Sequence, residues 1–179
     1  MKPIVADSPP RTMIEVFKML PEGTLAELID NQLHMSPSPK SKQQIVLNEI
    51  NFQLVGHFKK TKTEMVYISP FDVYLNEDKN VVQPDLIVIL NPNMHILRED
   101  SYIHGVPDML IEILSPSNKD HDLVRKKNLY ERFAVKEYWI IDPESKEAIG
   151  YELRDTQYFV IAEDIGVIKS NLLQLSFSF

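Results

Sequence analysis

Short apolar runs bounded by turn-forming residues are the dominant pattern of this chain. Residues 85–90, 108–114 and 138–141 are almost continuously apolar, and runs of this length are typical of strands buried on both faces. Alternating segments predict a strand or hairpin at residues 24–35 and further strands at residues 64–68, 71–76, 148–153 and 157–162. The pattern therefore predicts short strands separated by turn-rich segments.

Three segments have helical spacing. Thr12 and Glu15 form a capping-box pattern that opens a short helix, which ends before Pro21. A long helix is predicted after the proline-rich loop at residues 36–39, and a third helix at about residues 119–134. The apolar positions of the long helix are Ile45, Leu47, Ile50, Leu54 and Phe58.

Helices and strands alternate along the chain. With 179 residues, nothing in the sequence requires a second core. We therefore expect one α/β domain over residues 12–179, with a mixed central sheet flanked by helices. Residues 1–11 carry Pro3, Pro9 and Pro10 and are expected to form an extended N-terminal arm.

Two carboxylates interrupt the apolar runs. Asp85 opens one run and Glu112 lies in the middle of another. Burying a carboxylate in a core strand costs several kcal/mol unless a cation or a set of hydrogen-bond donors meets it. The pair is therefore predicted to be a metal site.

A lysine on the third helix is aimed in an unusual direction. At about 100° per residue, Lys126 falls at about 300° from Leu123, inside the arc of apolar side chains. Lys127 lies at the edge of that arc and Arg125 lies outside it. A lysine on an apolar face commonly extends its ammonium group to water. The alternative is that Lys126 reaches the carboxylate pair.

Composition narrows the chemistry. The chain is 44% hydrophobic and contains no cysteine, which excludes disulfides, thiolate nucleophiles and cysteine-based zinc sites. A metal would be held by oxygen or imidazole ligands. No apolar stretch of about 18 or more residues and no secretory leader is visible, so we expect a cytoplasmic protein without a membrane span.

Charge is unevenly distributed along the chain. The formal net charge of -7 argues against a uniformly basic, nucleic-acid-binding surface. Residues 36–62 nevertheless carry five lysines and one acidic residue, Glu49. Such a stretch is either a solvated helix face or a surface that binds phosphate groups, and the sequence leaves both interpretations open. These lysines are Lys40, Lys42, Lys59, Lys60 and Lys62.

Seven motifs occur in order between about residues 12 and 160. They are Leu25-Ala26-Glu27-Leu28-Ile29-Asp30, Met35-Ser36-Pro37, Ser69-Pro70-Phe71-Asp72-Val73, Val82-Gln83-Pro84-Asp85-Leu86, Ile111-Glu112-Ile113-Leu114-Ser115-Pro116-Ser117, Lys126 through Tyr130, and Glu137-Tyr138-Trp139-Ile140-Ile141-Asp142-Pro143. Together they resemble the Uma-two family of restriction-endonuclease-like proteins, within the PD-(D/E)XK nuclease superfamily. The resemblance implies a restriction-endonuclease-like α/β core and an endonuclease that uses Mg²⁺ or Mn²⁺ to cleave DNA.

The resemblance also implies roles for individual residues. Asp85 matches the aspartate of the Pro-Asp motif and Glu112 the acidic residue of the second motif, so both are expected to be catalytic metal ligands. The superfamily usually places a lysine two residues later, where this chain has Leu114. The family resemblance moves that catalytic lysine to Lys126. Glu27 matches an early glutamate of the family and is an extra acidic ligand, a group behind the ligands, or simply an exposed acid.

Two positions depart from the family pattern. Lys42 stands where members often carry histidine, so any role of that histidine is absent or altered here. Asn31 replaces a common turn glycine, which asparagine tolerates because it adopts left-handed backbone conformations.

We expect a Mg²⁺-dependent DNA endonuclease from these observations. The main alternative is a nuclease-fold module that binds nucleic acid or a partner protein without cleaving, and a third is an enzyme for a small phosphoester. A compact nuclease domain cuts both strands of a duplex most simply as a two-fold pair, so we expect a homodimer. Its contact would use Tyr151, Tyr158 and Phe159, which would equally well complete the core of one chain.

Overall fold

Three helical segments flank the sheets of this computed structural model, which describes residues 9–61, 64–99, 102–115 and 121–179, without the side chains of residues 121–123. Helix α1 spans Met13–Lys18 and helix α2 spans Ser41–Thr61. The third begins as a π-helix at His121–Lys126 and continues as helix α3 at Lys127–Arg132. No helix among the described residues is long and apolar enough to cross a membrane.

The strands supply most of the structure. They are β1 (Ala26–Ile29), β2 (Gln32–Met35), β3 (Glu64–Ile68), β4 (Val73–Asn76), β5 (Asn80–Val82), β6 (Leu86–Leu90), β7 (Ile103–His104), β8 (Met109–Ile113), β9 (Glu137–Ile141), β10 (Glu147–Arg154), β11 (Gln157–Ile165), β12 (Val167–Ser170) and β13 (Leu175–Ser178). A 3₁₀ helix, Asn91–Ile96, follows β6. The predicted arm falls largely on residues 1–8, which lie outside the described residues.

The central sheet has six strands in the order β11-β10-β9-β8-β6-β3. Strands β8 and β9 run parallel, and the other neighbours are antiparallel. A second, five-stranded sheet has the order β2-β1-β5-β4-β7, and β12 with β13 forms a C-terminal hairpin. The predicted α/β class with a mixed central sheet flanked by helices is therefore confirmed, and the second sheet adds a layer that the sequence did not predict.

The central sheet is covered on both faces. Helix α2 and the C-terminal hairpin pack on one face through Leu54 and Ile168, beside Val88 and Ile111 of the sheet. Helix α3 and the second sheet cover the other face. That second core cluster includes Ile29, Val73, Val82, Ile87, Leu110, Leu129 and Tyr130. Successive side chains of a strand alternate between faces, so Asp85 and Glu112 share the face of Ile87 and Leu110.

Local sequence signals set the start of α1 and the turn of the β1–β2 hairpin. The capping box at α1 is present, with reciprocal bonds between Thr12 and Glu15. The predicted hairpin at residues 24–35 forms with Asp30 and Asn31 at its tip, where φ is 48° and 64°. Two positive φ angles in a two-residue loop match the twist of a β-hairpin. Asparagine thus serves in place of the family's glycine.

Candidate active site

Asp85 and Glu112 meet at the end of two neighbouring strands. Leu86 of β6 pairs with Ile111 of β8 in an antiparallel register, which brings Asp85, just before β6, opposite Glu112. Asp85 also accepts a hydrogen bond through Oδ2 from the backbone N–H of Ile113, at 2.7 Å. The two residues therefore lie on one face of the central sheet, on neighbouring strands.

Lys126 joins this pair from the helical segment opposite the sheet. Its Nζ lies 2.8 Å from Glu112 Oε1 and 2.9 Å from Glu27 Oε1. Lys126 is only 4% exposed, and Glu112 and Glu27 are 3% and 4% exposed. A buried ammonium group is thus shared between two buried carboxylates, which satisfies the condition for burying these charges. The predicted inward direction of Lys126 agrees with this placement.

The neighbouring lysine behaves differently. Lys127 is half buried, and its ammonium group lies 5.0 Å from the centre of the Tyr151 ring. The predicted helical phase holds, although residues 121–126 are π-helical and not α-helical. Single π turns often occur at functional sites because they redirect side chains. Lys126 lies at the junction where the π-helix becomes α3.

Tyr130 is a site residue that the sequence reasoning missed. It is fully buried and its hydroxyl donates to Glu112 Oε1 at 2.8 Å, the same oxygen that accepts from Lys126. Burial raises the pKa of Tyr130 well above its usual value, and the negative charges of Glu112 and Glu27 raise it further. The hydroxyl therefore stays protonated as a donor. Its position four residues after Lys126, on the same helix face, was the available signal.

Glu27 reaches the site from the second sheet. It lies on β1 and accepts a hydrogen bond through Oε1 from the backbone N–H of Gln83, at 2.8 Å. Together with its ion pair to Lys126, this contact excludes the interpretation of Glu27 as an exposed acid. Glu27 therefore contacts both Lys126 and the backbone of Gln83. The sequence did not indicate the contact with Gln83.

The first turn of helix α2 closes one side of the site. Gln43 Nε2 donates to the backbone carbonyl of Ile113 at 3.3 Å, and Gln43 Oε1 accepts from the backbone N–H of Lys40 at 2.9 Å. The side chain of Gln43 therefore ties the start of α2 to the end of β8. Residues 36–39, just before this helix, line the same cleft as the carboxylates.

These residues line one cleft of about 440 Å³. Glu27, Asp85, Glu112 and Lys126 are all part of its wall. Within the described ranges, no group of three or more histidine, cysteine, aspartate or glutamate side chains has the arrangement of a complete metal cage. The cleft wall thus combines three carboxylates with one buried lysine, and two of them, Glu27 and Glu112, are paired with that lysine.

The structure separates other residues that the sequence grouped. Lys40 lines the cleft, and Lys42 forms an exposed ion pair with Glu144. Lys59 and Lys60 lie in the last turn of α2, and a 21-residue helix is about 31 Å long. Lys62 lies outside the described residues. Leu114, two residues after Glu112, is buried in the core.

Comparison with known proteins places this geometry in context. A search of solved structures finds a crystal structure titled as a "putative nuclease belonging to DUF820" from Anabaena variabilis ATCC 29413. The two chains are 19% identical with a TM-score of 0.75, and the match covers 94% of this chain and 95% of that chain. At this identity the likeness shows a shared fold. No curated protein matches the sequence.

A family comparison covers most of the sequence. The family model described as "Putative restriction endonuclease" matches residues 14–165 and includes all four residues of the cleft wall discussed above. The family match supports a nuclease, and the structural match supports the fold. The match spans well over half of the chain, and the chain therefore belongs to the Uma2 family.

Proposed function

We propose that this protein is a Mg²⁺-dependent or Mn²⁺-dependent endonuclease that hydrolyses DNA phosphodiester bonds, with its catalytic centre in the cleft. The observation that carries the proposal is the meeting of Asp85, Glu112 and Lys126 in one cleft of a nuclease-family fold. The carboxylates come from adjacent strands and the lysine comes from the facing helix. This arrangement supplies anionic ligands and a positive charge at one place.

The carboxylate pair suits a hard divalent cation. Mg²⁺ in proteins is usually held by one or two carboxylates together with water and substrate phosphate oxygens. Asp85 and Glu112 provide such a set, and a complete cage of protein ligands is not needed. When bound, the metal would polarise the phosphodiester and lower the pKa of a coordinated water.

Four further residues supply positive charge or hold the metal-binding carboxylates and their neighbours in position. Lys126 places a positive charge beside Glu112, where it stabilises negative charge that develops on the phosphate during hydrolysis. Glu27 is a positioning residue because it holds the Lys126 ammonium group from the opposite side. Tyr130 fixes the carboxylate of Glu112 through its hydroxyl. Gln43 fixes the Ile113 backbone next to Asp85.

Cleavage and metal binding test the proposal separately. We expect the native chain to nick supercoiled plasmid with Mg²⁺ or Mn²⁺ and to lose this activity in EDTA. Calorimetry should detect Mg²⁺ or Mn²⁺ binding that Glu112→Gln and Asp85→Asn weaken. Lys126→Ala should abolish cleavage and keep metal binding, whereas Lys127→Ala should do little. Cleavage that survives Glu112→Gln would contradict the assignment.

A non-catalytic nuclease-fold module is the second candidate function. The observation that favours it is the acidic net charge of -7, which does not suit a DNA-cleaving surface. This module would bind nucleic acid or a partner protein and would leave DNA intact with either metal. Binding without metal-dependent cleavage, at enzyme concentrations above that of the DNA, would support it.

We also propose that the protein acts as a homodimer on duplex DNA. Tyr151 and Tyr158 pack against the core of their own chain, whereas Phe159 is 46% exposed on the edge strand β11. Val160 and Ile165 of the same strand are 56% and 75% exposed. An edge strand with exposed apolar side chains is a ready surface for pairing. Light scattering that shows a monomer at micromolar concentration would overturn the dimer and leave the cleft assignment intact.

A further inference from the structure

A second and larger cavity lies beside the catalytic cleft. Its volume is about 970 Å³, within the range of small-molecule sites. One wall is formed by the end of α1 and residues 19–24, and the other by Pro70, Phe71, Asp72, Tyr74 and Tyr102. Pro70 and Gln83 line both this cavity and the cleft, so the two spaces adjoin.

Aromatic rings form much of the wall of this cavity. Phe71 and Tyr102 have ring centres 6.5 Å apart, and Tyr74 and Tyr102 have centres 6.1 Å apart. Phe71 is held from behind by Tyr67, whose ring stacks on it at 5.1 Å. Fixed aromatic rings beside an open space offer stacking surfaces for a flat ligand, and nucleobases stack on such rings irrespective of sequence.

Polar groups occupy one part of the same wall. Gln83 Nε2 donates to Asp72 Oδ1 at 2.7 Å and to the carbonyl oxygen of Thr24 at 3.1 Å. Burial raises the pKa of Asp72 above its usual value, and the hydrogen bond from Gln83 offsets only part of this increase. The amide of Gln83 therefore fixes the direction of a carboxylate that has lost much of its water. A ligand that donates N–H groups to Asp72 would compensate for that loss.

A cation stands at the rim of the cavity. Lys18, in the last turn of α1, is exposed, lines the cavity and has its ammonium group 5.7 Å from the centre of the Tyr74 ring. An ammonium group at this place is suited to a phosphate attached to a ligand whose flat part stacks on the aromatic rings. The cavity thus combines stacking, acceptor and cationic groups.

The backbone of Gln83 connects this cavity to the catalytic residues. Its N–H donates to Glu27, which also pairs with Lys126, while its side chain donates to Asp72. One residue thereby fixes an acidic group in each space. A nucleic-acid strand that lies in the cleft would have a neighbouring nucleotide beside this opening.

We propose that the cavity binds a nucleobase turned out of the strand whose phosphate lies in the cleft, with guanine preferred. The proposal rests on the proposed function in one respect, that the ligand is nucleic acid. Guanine is preferred because its N1–H and N2–H groups are adjacent donors that a carboxylate accepts together, whereas thymine has a single ring N–H. Asp72 accepts these bonds, and Tyr102 supplies stacking.

Binding without metal tests this proposal apart from catalysis. The probes are two fluorescein-labelled seven-nucleotide single strands, one all thymine and one with a single central guanine, measured by fluorescence anisotropy with the full chain in EDTA. We expect the guanine strand to bind about tenfold tighter, at the lower end of what one bidentate base contact provides. Asp72→Asn should remove this preference, and Tyr102→Leu should weaken binding of both strands.

Matched controls separate the possible results. Phe52 is 76% exposed on α2 and is not part of the cavity wall, so Phe52→Ala should leave both affinities unchanged. Asp155→Asn makes the same change at an exposed aspartate outside the cavity wall and should keep the guanine preference. Equal binding of the two strands by the native chain would overturn the proposal, even if the protein cleaves DNA. Guanine preference that survives Asp72→Asn in a folded variant would also overturn it.

Discussion

Replacing Lys126 by methionine removes one charge that is shared by two buried carboxylates. Methionine keeps most of the length and apolar character of the lysine stem, so the change acts mainly on the ion pairs at 2.8 and 2.9 Å. Removing one partner of a buried ion pair costs about 3–5 kcal/mol, because the remaining charge has neither water nor a counter-ion. Lys126→Met leaves both Glu27 and Glu112 without a counter-ion. We therefore take about 3 kcal/mol as the minimum loss in the free energy of unfolding.

This loss is large relative to the whole protein. Domains are stable by about 5–15 kcal/mol, and in chains of this size each kcal/mol shifts the melting temperature by about 2–4 °C. In EDTA, Lys126→Met should therefore melt roughly 6–20 °C below the native chain. Urea unfolding followed by the fluorescence of Trp139, the single tryptophan, measures the same loss as a free energy of unfolding. Adding Mg²⁺ should restore part of it, because the carboxylates regain a cation.

Lys127→Met is the matched control on the same helix. Its ammonium group contacts the Tyr151 ring and no buried carboxylate pair, so its removal should cost at most about 1 kcal/mol. If Lys126→Met unfolds within 1 kcal/mol of the native chain in EDTA, the two carboxylates do not depend on this lysine. A variant that gains nothing from Mg²⁺ would speak against the metal site.

Three further outcomes follow from single contacts. Tyr130→Phe should reduce metal-dependent cleavage about 10–100-fold, because the lost hydroxyl orients the proposed metal ligand Glu112. Nuclease activity within about twofold of native would contradict this. Gly150→Ala should cost about 1–3 kcal/mol in urea unfolding, because an added Cβ would lie 2.6 Å from the Trp139 ring. Lys40→Glu should weaken DNA binding and lower its salt dependence more than Lys59→Glu does, since Lys40 lines the cleft; equal effects of the two variants would refute this reasoning.

The sequence predicted the central sheet well because its strands depend on local patterns. Continuous apolar runs gave β6, β8 and β9 within one or two residues, and the turn residues Asp30 and Asn31 located the hairpin. The sequence pattern was a poorer guide to which face of α2 is buried. Ile45 belongs to the apolar spacing that predicted this helix, but it is 55% exposed, whereas Val46 is buried. At a helix start, packing against the neighbouring strand decides the face.

The second sheet could not be predicted from local patterns. Strands β5 and β7 have three and two residues, too few to show a period, and they exist because they pair with β4 and with other distant segments. The same limit applies to the site. Asp85, Glu112 and Lys126 could be identified because each interrupts an apolar pattern. Gln83 contributes through its backbone N–H, which no sequence pattern records.

The ion pair between Glu27 and Lys126 has a consequence for the newly made chain. Its two partners come from early and late parts of the sequence and from different layers of the fold, so the site is complete only when the second sheet, the central sheet and the π-helix at His121–Lys126 have assembled. Contacts between distant segments form late in folding, because closing a long loop must come first. A partly synthesised or partly unfolded chain would therefore lack the assembled cleft, and the proposed cleavage activity would appear only in the fully folded protein.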